Sequence, residues 1–583
     1  MRKYTNEKHT RILIALLKKN NIRKVVASPG TTNVTFIGSL QNDTFFEIYS
    51  SVDERSAAYI ACGLARESGE PVILSCTGAT ASRNYISGLT EAYYSNLPIL
   101  AITSTQYPGR VGQLMPQVID RSQPLNDIAK KSIQLNVVHS EEDEWATQVK
   151  INSILLELKR GGSGPIHINL ETTYSSDFSF QELPHVRTIN RYFSGDILPS
   201  LSNKKIIINV GTHLRWSDGL TKAVDSFCEI YNAVVVCEHI SNYKGQYGVY
   251  PSLLANQEGS HYSYLDVDIM IHIGTVLGFG AGGNINAHEV WRVHPDGEVR
   301  DTFKKLTKVF EMKEETFFNY YCEDVDKKEK NVSYYSEFSS YCHSLENKIG
   351  DLPFSNPWIA KNTISKLPQG CELHLGILNS LRSWSLFNID LDKNIEIYSN
   401  TGGFGIDGLV STLIGSSLAS PEKLFIGIIG DLAFFYDMNA LGNRHVGKNI
   451  RLMVINNGRG TEFRNYNHLA AKFGEDADAF MAAAGHFGNK SQTLIKHYAE
   501  DLGYKYLSAH NKQEYLSAIE SFLDSDYQEK SIVFEVFTDS RDESEALNIL
   551  YHLDVTNTTR AKILIKNTLG EKQINMIKKL IKK

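Results

Sequence analysis

The chain has 583 residues, 42% of them apolar, with 60 basic against 66 acidic side chains and a formal charge of −6. That is material for several cores, and a charge balance that excludes a globally basic nucleic-acid binder. Seven scattered cysteines without a CxxC exclude a disulfide framework or zinc module and point to reduced thiols in a cytoplasmic setting, while no run is long enough for a membrane span or signal peptide.

Taken in order, residues 1–185 alternate short apolar runs (KVVASPG, FFEIYSSV, PVILSC, PILAITS, SIQLNVV, PIHINLE) with helical stretches such as DERSAAYIACGLARES. This alternation predicts a parallel α/β sheet. Residues 178–202 show no periodicity and read as a linker. A second α/β block follows, with strands in KKIIINVG, AVVVCEH, DIMIHIGT and VWRVHPD. The charged, tyrosine-rich stretch 312–352 reads as a helical or irregular connector. The third block starts near Asn356 and runs through CELHLGI, IEIYSNT, LFIGIIG, IRLMVINN, YKYLSAH and SIVFEVFT. Its pattern is like that of the first block, so a duplicated domain is expected. The fold class is therefore α/β: three doubly wound parallel-sheet domains over 1–185, 186–352 and 353–550, then a basic tail over 551–583. From Arg560 the tail carries eight basic residues and one acid, with Ile574, Ile577 and Ile581 on one helical face. A docking helix for an anionic surface fits that pattern; a solvated terminal helix is the plainer reading.

The stretch 423–463 carries the strongest chemical signal. The run LFIGIIG ends in Gly430-Asp431, and IRLMVI ends in Asn456-Asn457-Gly458. Two parallel strands joined by a helix place Asp431 and Asn457 side by side at the carboxyl ends of the strands, where open α/β sheets bind ligands. A carboxylate and an amide oxygen are hard ligands suited to Mg²⁺, which also takes phosphate oxygens. In the first block Asp53 and Glu54 open a helix. Acids there are ordinary, because they suit the macrodipole. The polar turns SPGTTN (28–33) and CTGATA (76–81) turn the pattern towards a site at the sheet edge. In the middle block, VGTHLRW (210–216) and the Gly-rich run 273–284 are turns of the sort that cradle phosphates. Neither completes a GxGxxG, and a scaffold without nucleotide is preferred. His445 and His468 read as surface or core histidines rather than proton shuttles.

Taken together, SPGTTN, VDERSAAYIACGLA, CTGATASRNY, SNTGGFGIDGLVST, GDLAFFYDMNAL and INNGRG resemble the thiamine-diphosphate-dependent 2-oxo-acid decarboxylase and acetolactate synthase superfamily. Within it, the chain resembles the menaquinone-pathway succinyl-enolpyruvyl-hydroxy-cyclohexene-carboxylate synthases, which use 2-oxoglutarate and isochorismate. The resemblance implies pyrimidine-binding, central and diphosphate-binding domains in that order, with thiamine diphosphate and Mg²⁺ as cofactors. It implies Asp431, Asn457 and the backbone carbonyl of Arg459 as metal ligands, and Glu54 as the catalytic carboxylate on N1′ of the pyrimidine. Ile406 would wedge under the cofactor, with further contacts from Thr77, Ser380, Gly403, Gly430 and Leu432. A homodimer or homotetramer is implied, because Glu54 and the metal ligands usually come from different subunits. The implied chemistry is loss of CO₂ from a 2-oxo acid and transfer of the acyl-anion equivalent to an acceptor. A lyase releasing an aldehyde is the alternative, and a catalytically silent homologue the third.

Three positions depart from the menaquinone synthase pattern, which has arginines there for substrate carboxylates: Thr32, Trp384 and Thr401 are neutral. Arg382, two positions from Trp384, would point elsewhere. Bidentate arginine–carboxylate pairing is hard to replace with threonine or tryptophan. The expectation is a paralogue that does not run the menaquinone reaction and uses a smaller 2-oxo acid such as pyruvate, with Thr32, Gln117, Trp384 and Thr401 lining the substrate. Trp384 either stacks on an acceptor or fills the space of the missing arginine.

Overall fold

The structure, a computed structural model, describes residues 3–258, 261–278, 281–323, 331–485, 491–527 and 529–554. Its strands form parallel sheets with helices interleaved, an α/β fold. The chain divides into two compact units, Met1–Leu198 with His294–Met312, and Pro199–Val293 with Lys313–Lys583.

In the first unit, β1 (Lys24–Ala27), β2 (Glu47–Ser50), β3 (Val72–Cys76), β4 (Ile99–Thr105), β5 (Ser132–Leu135) and β6 (Ile166–Glu171) lie in the order β2-β1-β3-β4-β6-β5. Successive residues of a strand face opposite sides. Val25, Ile73 and Leu100 join a core with the helices Lys8–Lys19 and Glu141–Leu155. Val26, Leu74 and Ala101 join a second core with the helices Glu54–Ser68 and Ile86–Tyr94. The sheet is thus doubly wound, and its inner strands β3 and β4 read as continuous apolar runs because both faces are covered. The unit also holds β7 (Asn190–Phe193) and β13 (Leu306–Glu311), which pair in parallel. β7 corrects the reading of 178–202 as a plain linker: NRYF is too short and too polar to show a period.

In the second unit, β8 (Ile206–Val210), β9 (Val234–Cys237), β10 (Gly248–Val249), β11 (Asp266–Ile273) and β12 (Asn286–Val293) run parallel in the order β10-β9-β8-β11-β12. The tyrosine-rich connector contains the helices Glu314–Cys322 and Ser333–Glu346, held by buried Phe317, Phe318, Tyr334 and Phe338. Then come β14 (Glu372–Leu375), β15 (Glu396–Tyr398), β16 (Phe425–Gly430), β17 (Ile450–Asn456), β18 (Lys505–Ala509) and β19 (Ile532–Phe537), ordered β15-β14-β16-β17-β19-β18. Counted from its own first strand, each six-stranded sheet reads 2-1-3-4-6-5, as a duplicated domain requires. The turn after β3, with Thr77, is therefore the counterpart of the turn after β16, with Asp431.

Asp554 closes the described chain by accepting from Tyr262 at 3.0 Å, Tyr341 at 2.6 Å and Lys348 at 2.6 Å. The rest of the basic tail, 555–583, lies outside the described residues, as does part of the Gly-rich run 273–284. All seven cysteines are unpaired. No helix of the described residues is long and apolar enough to cross a membrane.

Candidate active site

In the second unit β16 and β17 are adjacent and parallel, with Gly430 opposite Ile455. Asp431 starts the helix Asp431–Asp437 and is only 5% exposed. The Gly458 N–H donates to its Oδ2 at 3.0 Å. Gly458 stands at φ +76°, in the left-handed region, so the chain turns back there without strain. Among the described residues no cationic side chain forms an ion pair with Asp431. Burial pushes its carboxyl up to about 7, opposed in part by the backbone N–H groups of Leu432 and Gly458. Beside it, Asn457 has a buried Oδ1 with no hydrogen-bond partner. An acceptor left so costs about 1–3 kcal/mol. The Arg459 guanidinium donates through Nη1 to Asp478 at 2.7 Å and, being a donor only, cannot ligate a cation, so the oxygen Arg459 can offer is its main-chain carbonyl.

An uncompensated buried carboxylate and an unpaired amide oxygen fit a bound cation. Among the described residues no cluster of three or more His, Cys, Asp or Glu could hold a metal. A cation here would therefore rest on an all-oxygen set of carboxylate, amide and main-chain carbonyl. That set suits Mg²⁺ completed by phosphate oxygens. Behind Asn457, Asn456 donates to Glu535 at 2.6 Å and Tyr506 to the same carboxylate at 2.7 Å, fixing the end of β17.

Open space lies beside two glycines of this unit, one of them Gly430 directly before Asp431. A Cβ placed on Gly403 or Gly430 would meet nothing within 4 Å. Leu432 is half-buried. Ile406 packs partly on the core of Leu409, Val410 and Phe434 and is half-exposed, unlike a plain core isoleucine. Asp437 locks the segment carrying these residues to the Asp431 helix, accepting from Ser411 N at 2.6 Å and Ser411 Oγ at 2.7 Å. Sequence reasoning missed this clamp, although its two ends lie in two of the quoted phrases. It also missed Asn356, which donates to Ser380 Oγ at 3.3 Å and receives Trp384 Nε1 at 3.2 Å. Glu543 in turn accepts from the Asn356 N–H at 3.0 Å and from Thr538 at 2.8 Å.

The structure corrects the substrate assignments. Trp384 is 0% exposed, so it fills the core and has no surface to stack on an acceptor. Thr401 is buried and shares a hydrogen bond with Thr212 at 2.8 Å. Arg382 is buried too and forks onto Glu462 with two bonds of 2.5 Å. His445 is exposed, and His468 caps a turn by accepting from the Ala470 N–H at 3.1 Å.

In the first unit, Glu54 opens the helix Glu54–Ser68 behind Asp53, whose side chain caps it. Asn84 donates to Glu54 Oε2 at 3.1 Å. The SPGTTN and CTGATA turns are fastened together: Thr32 and Thr77 share a short hydroxyl–hydroxyl bond, and the Gly78 N–H donates to Thr32 at 3.2 Å. A Cβ on Gly30 would stand 2.4 Å from that of Thr77, so close approach is what requires glycine there. Gln117 is exposed at φ +63° in the loop after β4.

Residues 8–124 match the family described as "Thiamine pyrophosphate enzyme, N-terminal TPP binding domain". A protein of Bacteroides fragilis named 2-succinyl-5-enolpyruvyl-6-hydroxy-3-cyclohexene-1-carboxylate synthase is 30% identical over 571 residues, covering 94% of this chain and 99% of the relative. Proteins of the same name from Bacteroides thetaiotaomicron and Flavobacterium psychrophilum are 30% and 26% identical, over 94% and 91% of this chain and 99% and 96% of theirs. These relatives overturn the expectation that the chain departs from the menaquinone-pathway reaction. That expectation assumed that three neutral residues face a substrate. In the structure Thr32, Trp384 and Thr401 are buried in bonds within the chain, so their neutrality does not report on the substrate.

Proposed function

The chain belongs to the thiamine-pyrophosphate-dependent enzymes, in the family of these cyclohexene-carboxylate synthases, and from that premise we propose that it is a carbon–carbon bond-forming synthase. We take its product to be the one its relatives are named for, a cyclohexene carboxylate that gains a succinyl group, from 2-oxoglutarate and isochorismate. The observation that carries this reading is Asp431, a buried carboxyl that pairs with no cationic side chain among the described residues, next to the unpaired Oδ1 of Asn457.

Asp431, Asn457 and the Arg459 carbonyl would hold Mg²⁺, and through it a diphosphate. Gly430 and Gly403 would leave room for the cofactor, Leu432 and Thr77 would touch it, and Ile406 would shape the space beneath it. Thiamine diphosphate, when bound, supplies an electron sink for the decarboxylation of a 2-oxo acid. Glu54 would hold and return a proton at the pyrimidine N1′, and Asn84 orients its carboxylate. Ser380, held by Asn356, would contact the cofactor, and Gln117 would face the substrates. The domain division we adopt is pyrimidine-binding over 1–185, central over 186–352 and diphosphate-binding over 353–550. A homodimer or homotetramer is supported by exposed Val52, Tyr59 and Ile60 on and beside the Glu54 helix, an apolar surface ready for a second copy.

Calorimetric titration with thiamine diphosphate in the presence of Mg²⁺ tests the cofactor assignment. Binding that disappears in Asp431→Asn supports it; no binding by the native chain refutes it. Product analysis then separates synthase from lyase, since an aldehyde alone would mean simple decarboxylation.

A further inference from the structure

A cavity of ≈30 Å³ in the first unit is lined by residues that include Ser82, Arg83, Thr103, Arg121 and His167. A single water needs about 10–15 Å³ measured this way. The cavity therefore holds one or two atoms' worth of ligand and excludes a substrate or a phosphate ester. Tyr85, Ile86, Leu89, Pro124 and Ile128 make half of its wall apolar, and the charge it carries comes from two arginines, buried Arg121 and exposed Arg83. Arg121 is 7% exposed, with Nη1 donating to Ser82 Oγ at 3.1 Å and Nη2 to the Ser104 carbonyl at 3.1 Å. Its Nε–H is buried and has no acceptor. Among the described residues no carboxylate forms an ion pair with Arg121. The second guanidinium, of Arg83, donates to the Asp120 main-chain carbonyl at 2.8 Å.

The other walls do not supply the missing charge. The ring nitrogens of His167 lie 2.8 Å from the Thr103 and 2.8 Å from the Ser132 hydroxyls, so both are occupied by neutral groups. Burial first, then the charges of Arg121 and Arg83, push the imidazole down to about 3, so it stays neutral. A guanidinium taken out of water without a counter-charge is strongly unfavourable. A carboxylate from the chain is the usual remedy, and the described residues provide none.

We propose that this cavity binds a small monovalent anion, of the size and charge of a halide, against the Arg121 guanidinium. The anion satisfies the donor the chain leaves open. It also steadies Arg121 against the Gly78 turn, where a glycine Cβ would stand 3.3 Å from Nη1. The site is independent of the proposed reaction, since none of its residues is assigned to cofactor or substrate.

Bromide is the probe. The full chain, exchanged into a gluconate salt at fixed ionic strength, is titrated with bromide while its melting temperature is followed, and crystals are soaked in bromide. The expected results are a saturable rise in melting temperature in the native protein, no rise in Arg121→Met, and an anomalous peak at hydrogen-bond distance from the guanidinium. If Arg121→Met does not fold, the native titration and the peak decide. A cavity holding only water overturns the proposal. So does a melting temperature that follows ionic strength whichever anion is used, or a peak without a saturable response in solution.

Discussion

Asp431 is a buried carboxyl whose partners among the described residues are main-chain N–H groups, and that makes it titratable in the folded state. Its carboxyl is raised from 3.8 to about 7. A raised acid contributes stability that is complete below about pH 4 and lost as pH rises through about 7, because the folded state then has to bury the ion. The cofactor-free protein should therefore melt at lower temperature at pH 8 than at pH 5. Glu543, also raised to about 7 by burial, shares that window. The difference between native protein and Asp431→Asn isolates the Asp431 share: the variant's melting temperature should fall less between those pH values. Parallel profiles would show that Asp431 is not the buried ion described above. Glu54 calls for the opposite separation. Glu54→Gln should bind thiamine diphosphate within a few-fold of native and lose turnover by about 10²–10⁴, the usual share of a positioned proton carrier.

At the scale of elements, the Arg382–Glu462 fork ties the helix Asn379–Ser385 to the turn after Asn457-Gly458-Arg459, across 80 residues of sequence. Both side chains are largely buried, at 7% and 16% exposed. Removing one partner strands the other, at a cost of about 3–5 kcal/mol, whereas replacing both with apolar residues can be near neutral. In chemical denaturation, Arg382→Met should be more destabilising than Arg382→Met with Glu462→Met; the reverse order would mean the pair carries net stability of its own. Gly30→Ala should cost about 1–3 kcal/mol, since its methyl group meets Thr77 and pushes the two first-unit turns apart. Elements of this kind divide what a sequence reveals from what it hides. The central strands of the two six-stranded sheets, such as β3, β4, β16 and β17, are legible because buried parallel strands are nearly unbroken apolar runs; the partly exposed β2, β5, β15 and β18 are legible as short β-branched or aromatic runs between helical stretches. β7, β10 and β13 are short or carry charges, and pairing across the fold makes them strands. Asp431 and Asn457 are legible because each directly follows such a run. Asp437–Ser411 and Arg382–Glu462 join distant segments, and no periodicity announces them. Thr32, Trp384 and Thr401 were misjudged for the same reason: residue type alone does not say which way a side chain faces.

For the whole molecule, the repeated strand order places polar turns at the same edge of two related sheets. In one sheet those turns bear Thr77 and the fastened Thr32. In the other they bear Asp431 and Asn457. Under the proposed function the first would serve the pyrimidine end of the cofactor and the second its diphosphate. Exposed Val52, Tyr59 and Ile60 should be covered by a second copy, so Tyr59→Glu should shift the protein towards monomer in sedimentation while leaving each chain folded. The most direct test of the central claim is mass-spectrometric analysis of products from 2-oxoglutarate and isochorismate with thiamine diphosphate and Mg²⁺. The account predicts a single adduct, the succinyl cyclohexene carboxylate, formed with release of CO₂, dependent on both cofactors and lost in Glu54→Gln. Release of an aldehyde without adduct, or no turnover of these substrates by a protein that binds both cofactors, would contradict it.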